Sequence, residues 1–193
     1  SKDYPRLSWE NIEGDVISTV LITDLLSGNG TINNPFLIDT PAKLNSVGLF
    51  PHEWDKHFKL TTTNTINMSG YTGKQYNLIG YYLIPFTGTF DGNNKVISNF
   101  SFTSGDQSYV GLFGCIGSYL AQVKNIGMTN VTINAKDNIG ALAGYHKEGT
   151  IQNCYSENVN ITGHDSVAGL VGYSLETVTG CHSTGNVTGK NSV

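Results

Sequence analysis

From position 109 onward the apolar residues fall in short runs that return in the same order. The block Tyr109-Val110-Gly111-Leu112-Phe113-Gly114 is followed by Val123-Lys124-Asn125-Ile126 and then by Asn130-Val131-Thr132-Ile133. The plan returns as Ile139-Gly140-Ala141-Leu142-Ala143-Gly144, Ile151-Gln152-Asn153-Cys154-Tyr155-Ser156 and Val159-Asn160-Ile161-Thr162-Gly163. A third copy runs Val167-Ala168-Gly169-Leu170-Val171-Gly172, Val178-Thr179-Gly180-Cys181-His182-Ser183 and Asn186-Val187-Thr188-Gly189. The closing glycine recurs at Gly114, Gly144 and Gly172, so the period is 30 and then 28 residues. Between the runs stand Gly, Asn, Ser, Lys and Asp, which suit tight turns.

Short apolar runs bounded by turn residues predict strands. Three runs per period predict one coil of an all-β, parallel β-helix with three strands per coil, expected to be right-handed. Each coil must bury its inner face and pair its backbone with the coils above and below, about 4.8 Å away. The alternatives fail on pattern. A leucine-rich repeat needs its leucine spacing, helical arrays need a 3.6-residue period, and a propeller blade needs about 40 residues. In-register stacking predicts columns of like residues: Leu112/Leu142/Leu170, Val123/Ile151/Val178, Ile126/Cys154/Cys181 and Ile133/Ile161/Val187. Asn125 and Asn153 are expected to stack as an amide ladder, because a turn amide held out of water needs a partner. The glycines are expected to supply positive φ or close backbone approach at corners. The Gly-rich block is apolar in both phases, so its inward face stays open.

A looser version of the pattern precedes the repeats. Phe58-Lys59-Leu60-Thr61, Ile66-Asn67-Met68 and Leu78-Ile79-Gly80 supply a first coil. Phe86-Thr87-Gly88-Thr89-Phe90, a turn at Asp91-Gly92-Asn93-Asn94, Val96-Ile97 and Phe100-Ser101-Phe102 supply the next. Helix signals occur near 41–49, where Thr40 caps, Pro41 starts and Gly48 ends a short helix. Leu44, Val47 and Leu49 would pack it over the open first coil as an N-terminal cap. Pro51 opens a second short turn toward Trp54 and Phe58. Residues 1–26 read as the tail of a preceding unit plus linker, with a strand near Val16-Ile17. Residues 27–193 read as the solenoid: lead-in and cap 27–108, then repeats 109–138, 139–166 and 167–192. No C-terminal cap is visible, and Val193 falls where another repeat would open, so the array is expected to be truncated there.

Composition narrows the function. Only 13% of the 193 residues are charged, against about 25% in ordinary soluble proteins, while 23 are glycine. The net charge is −4, and no basic run exists to meet nucleic acid. No apolar stretch approaches the roughly 20 residues of a membrane helix. Cys115, Cys154 and Cys181 have no metal spacing and read as small buried hydrophobes.

The blocks Val167-Ala168-Gly169-Leu170-Val171-Gly172 and Asn153-Cys154-Tyr155-Ser156 resemble the GLUG repeat of large bacterial surface proteins, among them immunoglobulin A metallopeptidases and haemagglutinin-like adhesins. Pro35-Phe36-Leu37-Ile38, Phe58-Lys59-Leu60-Thr61 and Phe86-Thr87-Gly88-Thr89-Phe90-Asp91-Gly92-Asn93 are similar to the lead-in before such repeats. Asp3-Tyr4-Pro5-Arg6-Leu7 is similar to the stretch that closes such an array. Ala141, Ala143 and Ala168 stand where Gly or Val is commoner. The resemblance implies an extracellular or cell-surface solenoid with no shared catalytic residues.

Candidate chemistry is sparse. His52-Glu53-Trp54-Asp55-Lys56-His57 spaces its histidines by five, not the four of the zinc-protease motif. On a helix that turns the second ring about 140° from the first. The acids after residue 100 (Asp106, Asp137, Glu148, Glu157, Asp165 and Glu176) sit mainly in turns, with none at one place in successive coils within an apolar strand. Asp91, Asn93 and Asn94 fit a plain turn better than a calcium loop. Sequons at Asn29, Asn67, Asn99, Asn130, Asn160 and Asn186 fit turn chemistry, three of them at related repeat positions. No catalytic residue, metal or cofactor is expected. The reading is a non-catalytic structural scaffold or adhesin stalk, whose partners are other domains of the same long chain and neighbouring surface proteins or glycans. The alternative is a glycan-binding module using Tyr71, Tyr76, Tyr81 and Tyr82. A polysaccharide lyase or hydrolase ranks third.

Overall fold

The computed structural model describes residues 20–63 and 65–193. Expectations for residues 1–19, including the strand near Val16-Ile17 and the array-closing stretch at Asp3–Leu7, lie outside the described residues. The strands are β1 (Phe36–Ile38), β2 (His57–Leu60), β3 (Ile66–Asn67), β4 (Thr89–Ser98), β5 (Ser101–Thr103), β6 (Phe113–Ile116), β7 (Gln122–Thr129) and β8 (Thr132–Asn134), followed by β9 (Asp137–Ile139), β10 (Ala143–His146), β11 (Thr150–Gln152), β12 (Tyr155–Thr162), β13 (Asp165–Val167), β14 (Val171–Ser174), β15 (Val178–Thr179) and β16 (His182–Thr188). Their pairings are parallel. They stack as a β-solenoid of about five turns.

One column can be followed through the whole stack: Phe36, Phe58, Phe90, Val123, Ile151 and Val178 are register partners in turn. Its aromatic half packs ring on ring, with Phe36 and Phe58 at 5.5 Å and Phe58 and Phe90 stacked at 6.2 Å. Ile133, Ile161 and Val187 form a second column. Leu142 receives the amide of Phe113 and gives its own to Leu170, which sets Leu112, Leu142 and Leu170 one above another. Cys154 lies beneath Cys181, its amide 3.2 Å from the Cys181 sulfur. The side chains of these columns form one continuous core. On the last described coil Val171, Val178, Cys181 and Val187 are only partly buried.

Each coil is more finely divided than three strands. Single left-handed residues break the apolar runs. Asn125 and Asn153 lie at φ 58° and 53°, Asn130 and Asn158 at 55° and 54°, and Asn138 and Ser166 at 55° and 54°. Asparagine tolerates this region better than most residues because its short amide bonds locally. At Asn153 the run divides into β11 and β12. At Asn158 β12 kinks and its pairing register shifts. The expected amide ladder is present, with Asn153 Nδ2 donating to Asn125 Oδ1 at 3.4 Å. A second joins Asn158 Nδ2 to Asn130 Oδ1 at 2.7 Å. The partner of Asn160 is Thr132, not Asn130, so the sequons Asn130 and Asn160 do not share a repeat position.

Close approach, not positive φ, explains the repeat's closing glycine. A Cβ on Gly144 would lie 2.5 Å from the Val110 nitrogen, and one on Gly172 2.4 Å from the Ile139 nitrogen. Any side chain there would push adjacent coils apart. The inward face left open in the Gly-rich block also has an answer. All of β6 is buried; Ile79 and Phe86 pair with Phe113 and Ile116 along its edge, and residues 80–85 loop out between those two bridges.

The cap is helix α2 (Pro41–Val47), with the Thr40 hydroxyl accepting from the Lys43 amide at 3.3 Å. Leu44 and Val47 are fully buried, but Leu49 is 59% exposed and does not pack the cap. Gly48 has ended the helix one residue earlier. The Trp54 indole fills that space, donating to the Val47 carbonyl at 2.9 Å. Pro51–Glu53 form a single 3-10 turn, and Phe58 belongs to β2. Residues 20–26 also join the fold. A short helix, α1 (Ile22–Leu25), packs near α2. Ile22 and Leu26 enter the core and Ser27 bridges Leu37, so packing shows no break at position 26.

Candidate functional site

Two places gather side chains that could act on something outside the fold. The first is aromatic. The loop of residues 80–85 closes on itself through paired backbone bonds between Tyr81 and Ile84. It presents Tyr81 and Tyr82 at 43% and 54% exposure, with Leu83 at 87%. The Tyr81 ring lies 5.4 Å from Trp54. Tyr82 stacks on Tyr109 at 5.3 Å and on Tyr145 at 6.1 Å, and Tyr145 continues to Tyr173 at 5.5 Å. The result is a strip of tyrosines along the solenoid axis. Burial raises the phenol pKa of Tyr109 and of Tyr145.

The four tyrosines marked in the sequence do not form one surface. Tyr71 packs half-buried against the core. Tyr76 is buried, donates its hydroxyl to the Leu112 carbonyl at 3.1 Å and meets Phe100 edge-on at 4.9 Å. Its burial moves the phenol pKa far upward, as for a group that never meets water. Tyr81 and Tyr82 do reach solvent. The sequence reading missed Tyr109, Tyr145 and Tyr173. A signal existed: Tyr145 and Tyr173 each follow the closing glycine and are register partners on β10 and β14.

The second place is a polar corner. Asp137 on β9 and Asp165 on β13 are register partners, so two acids occupy one place in successive coils, at a corner and not within an apolar strand. The corner's strands are short and the apolar pattern around them weak, which hid the alignment. The column continues to Asn191, which bridges to Asp165, while Ser108 Oγ donates to Asp137 Oδ2 at 3.3 Å. The preceding residue of each rung is Lys136, His164 or Lys190, linked in turn by backbone bonds. His164 Nδ1 lies 3.1 Å from Asp165 Oδ2 and 3.5 Å from Asp137 Oδ1.

Two carboxylates this close invite a glycosidase reading. A general acid needs a raised pKa. Asp165 has the opposite shift: a bond from the Asn191 amide, helped by His164, holds it below the usual carboxylate range. Two hollows of the surface lie elsewhere. One is apolar, lined by Leu170, Val171, Val178 and Cys181. Another holds His57, Lys59, Asp91 and Lys124. His52 and His57 stand on different elements, the 3-10 turn and β2, so the helical geometry weighed for them does not arise. Asp91–Asn94, expected as a turn, instead lie within β4 where its pairing register shifts, and Asp91 Oδ1 accepts from the Asn93 amide at 2.8 Å and from Asn125 Nδ2 at 3.0 Å.

No family model matches this chain. Halomucin of Haloquadratum walsbyi is 32% identical over 125 residues, which is 64% of this chain and 1% of halomucin. A protein of Evansella cellulosilytica provisionally named a Gly-rich membrane protein is 35% identical over 132 residues, 65% of this chain and 15% of that protein. The chain thus spans a small part of the length of these relatives. A solved structure from Bacteroides ovatus, provisionally assigned as an immunoglobulin A1 protease, aligns with a TM-score of 0.59 at 20% identity. It covers 85% of this chain and 61% of the other. That likeness is one of fold, and fold does not carry activity with it. No helix among the described residues is long and apolar enough to cross a membrane.

Proposed function

We propose that this chain is a non-catalytic stalk segment of a large cell-surface protein, built from GLUG-like repeats. The observation that carries the reading is the unbroken parallel register from Phe36 to Val178. Each further repeat lengthens such a stack by about 4.8 Å without new chemistry. The names of the two long relatives, a halomucin and a Gly-rich membrane protein, support a place at the cell surface. Antibodies raised against the folded segment should label intact cells of the source organism. Labelling only after the cells are opened contradicts the proposal, as does release of new reducing ends from a panel of polysaccharides.

A second reading, glycan binding, is favoured by the exposure of Tyr81 and Tyr82. Against it, Tyr82 and Tyr109 already turn ring faces to each other, and a sugar needs a free face. The discriminating result is binding on a glycan array that disappears in Tyr82→Ala.

A further inference from the structure

The polar corner has a geometry that its hydrogen bonds do not exhaust. Asp137 and Asp165 lie directly over one another on paired strands, and like charges so placed repel. A group that lies between them and carries positive charge removes that repulsion. The His164 Nδ1 reaches both carboxylates, and one ligand atom from each of the three residues falls within 4.8 Å of the others, so a cation held among them would supply that charge.

We propose that Asp137, His164 and Asp165 bind one divalent cation of the zinc class, which ties two successive coils together. For bonds of about 2.0–2.1 Å in a tetrahedron, adjacent ligand atoms lie about 3.3 Å apart. The two imidazole distances, 3.1 and 3.5 Å, bracket that edge. An imidazole nitrogen with two carboxylates suits zinc and its first-row neighbours, while calcium and magnesium take oxygen ligands. The outer partners fix the carboxylates, as second-layer bonds do in metal sites. Asn191 Nδ2 donates to Asp165 Oδ1 at 2.6 Å, leaving Oδ2 toward the ring. Ser108 holds Asp137 Oδ2, leaving Oδ1 toward the same point. The Asp165 amide also donates to that Oδ1 at 3.2 Å, so this oxygen serves both coils. Lys136 Nζ lies 3.8 Å from Asp137 Oδ2, the oxygen that is not offered to the cation. Water completes the coordination, because all three side chains are partly exposed.

The test is thermal unfolding at pH 7.5 with and without zinc, on the whole chain. At free zinc about a hundred times the dissociation constant, Tm should rise by roughly 5–10 °C. The rise should vanish in His164→Ala and in Asp165→Asn, and persist in His182→Ala. Circular dichroism of each variant without zinc checks that it folds. Cobalt replaces zinc as a spectroscopic probe and should bind without a thiolate charge-transfer band, which separates this corner from Cys181 beside His182. The proposal is overturned if zinc leaves Tm unchanged, if His164→Ala responds like the unaltered chain, or if the cobalt spectrum reports sulfur.

Discussion

At the residue scale, the solenoid is shaped by single positions that an L-residue adopts reluctantly. Left-handed backbone costs about 1–2 kcal/mol for an ordinary residue, and the chain meets it with Asn125, Asn153, Asn130 and Asn158. The Asn125/Asn153 pair was legible because both stand at one place in an obvious repeat. Tyr109, Ser166 and Ser192 take the same backbone region and were not legible, since nothing in their type announces it. His146 is another single-residue feature. Its ring is fully buried on β10, Nδ1 lies 2.9 Å from Ser174 Oγ, and Nε2 meets no side-chain partner among the described residues. Burial lowers its pKa below the ordinary 6.5. A neutral form favoured by folding stabilises the protein above the unfolded pKa, and that stability is lost as pH falls through the folded pKa. Denaturant unfolding at a series of pH values from 7.5 downward should show stability declining below about pH 6.5. His146→Met should flatten that decline, and an unchanged slope in the variant counts against His146 as its source.

At the element scale, the cap shows what local sequence signals can and cannot place. Thr40 and Pro41 mark the start of α2, and both do what their chemistry suggests. The end of the cap was less legible. Leu49 looked like a third apolar contact, but Gly48 ends the helix and Trp54 occupies the space through its bond to Val47. That contact links residues brought together by tertiary packing, so periodicity carries no trace of it. Helix α1 was hidden for the same reason, its few residues being held by burial of Ile22 and Leu26. The consequence is a sharp contrast between neighbours. Leu44→Ala should destabilise the fold by about 2–5 kcal/mol, and Leu49→Ala by less than about 0.5 kcal/mol. Equilibrium denaturation measures both, and equal losses contradict the assigned cap.

At the scale of the whole molecule, the repeat made the architecture legible and the corners did not. Columns of like residues follow directly from a period near 28, and Leu112, Leu142 and Leu170 stack as that period requires. The tyrosine strip and the Asp137–His164–Asp165 corner were hidden because each joins a repeat position to a residue outside the repeat's apolar core. Tyr82 comes from a loop, and His164 from the turn before β13. Both groupings lie where register aligns outward-facing residues of successive coils. The register itself is open to direct measurement by methyl nuclear Overhauser spectra of leucine-labelled protein. Leu142 should show cross-peaks to both Leu112 and Leu170, while Leu112 and Leu170, two rungs or about 10 Å apart, should show none to each other. Absence of either Leu142 contact, or a direct Leu112–Leu170 contact, contradicts the stacked-coil account.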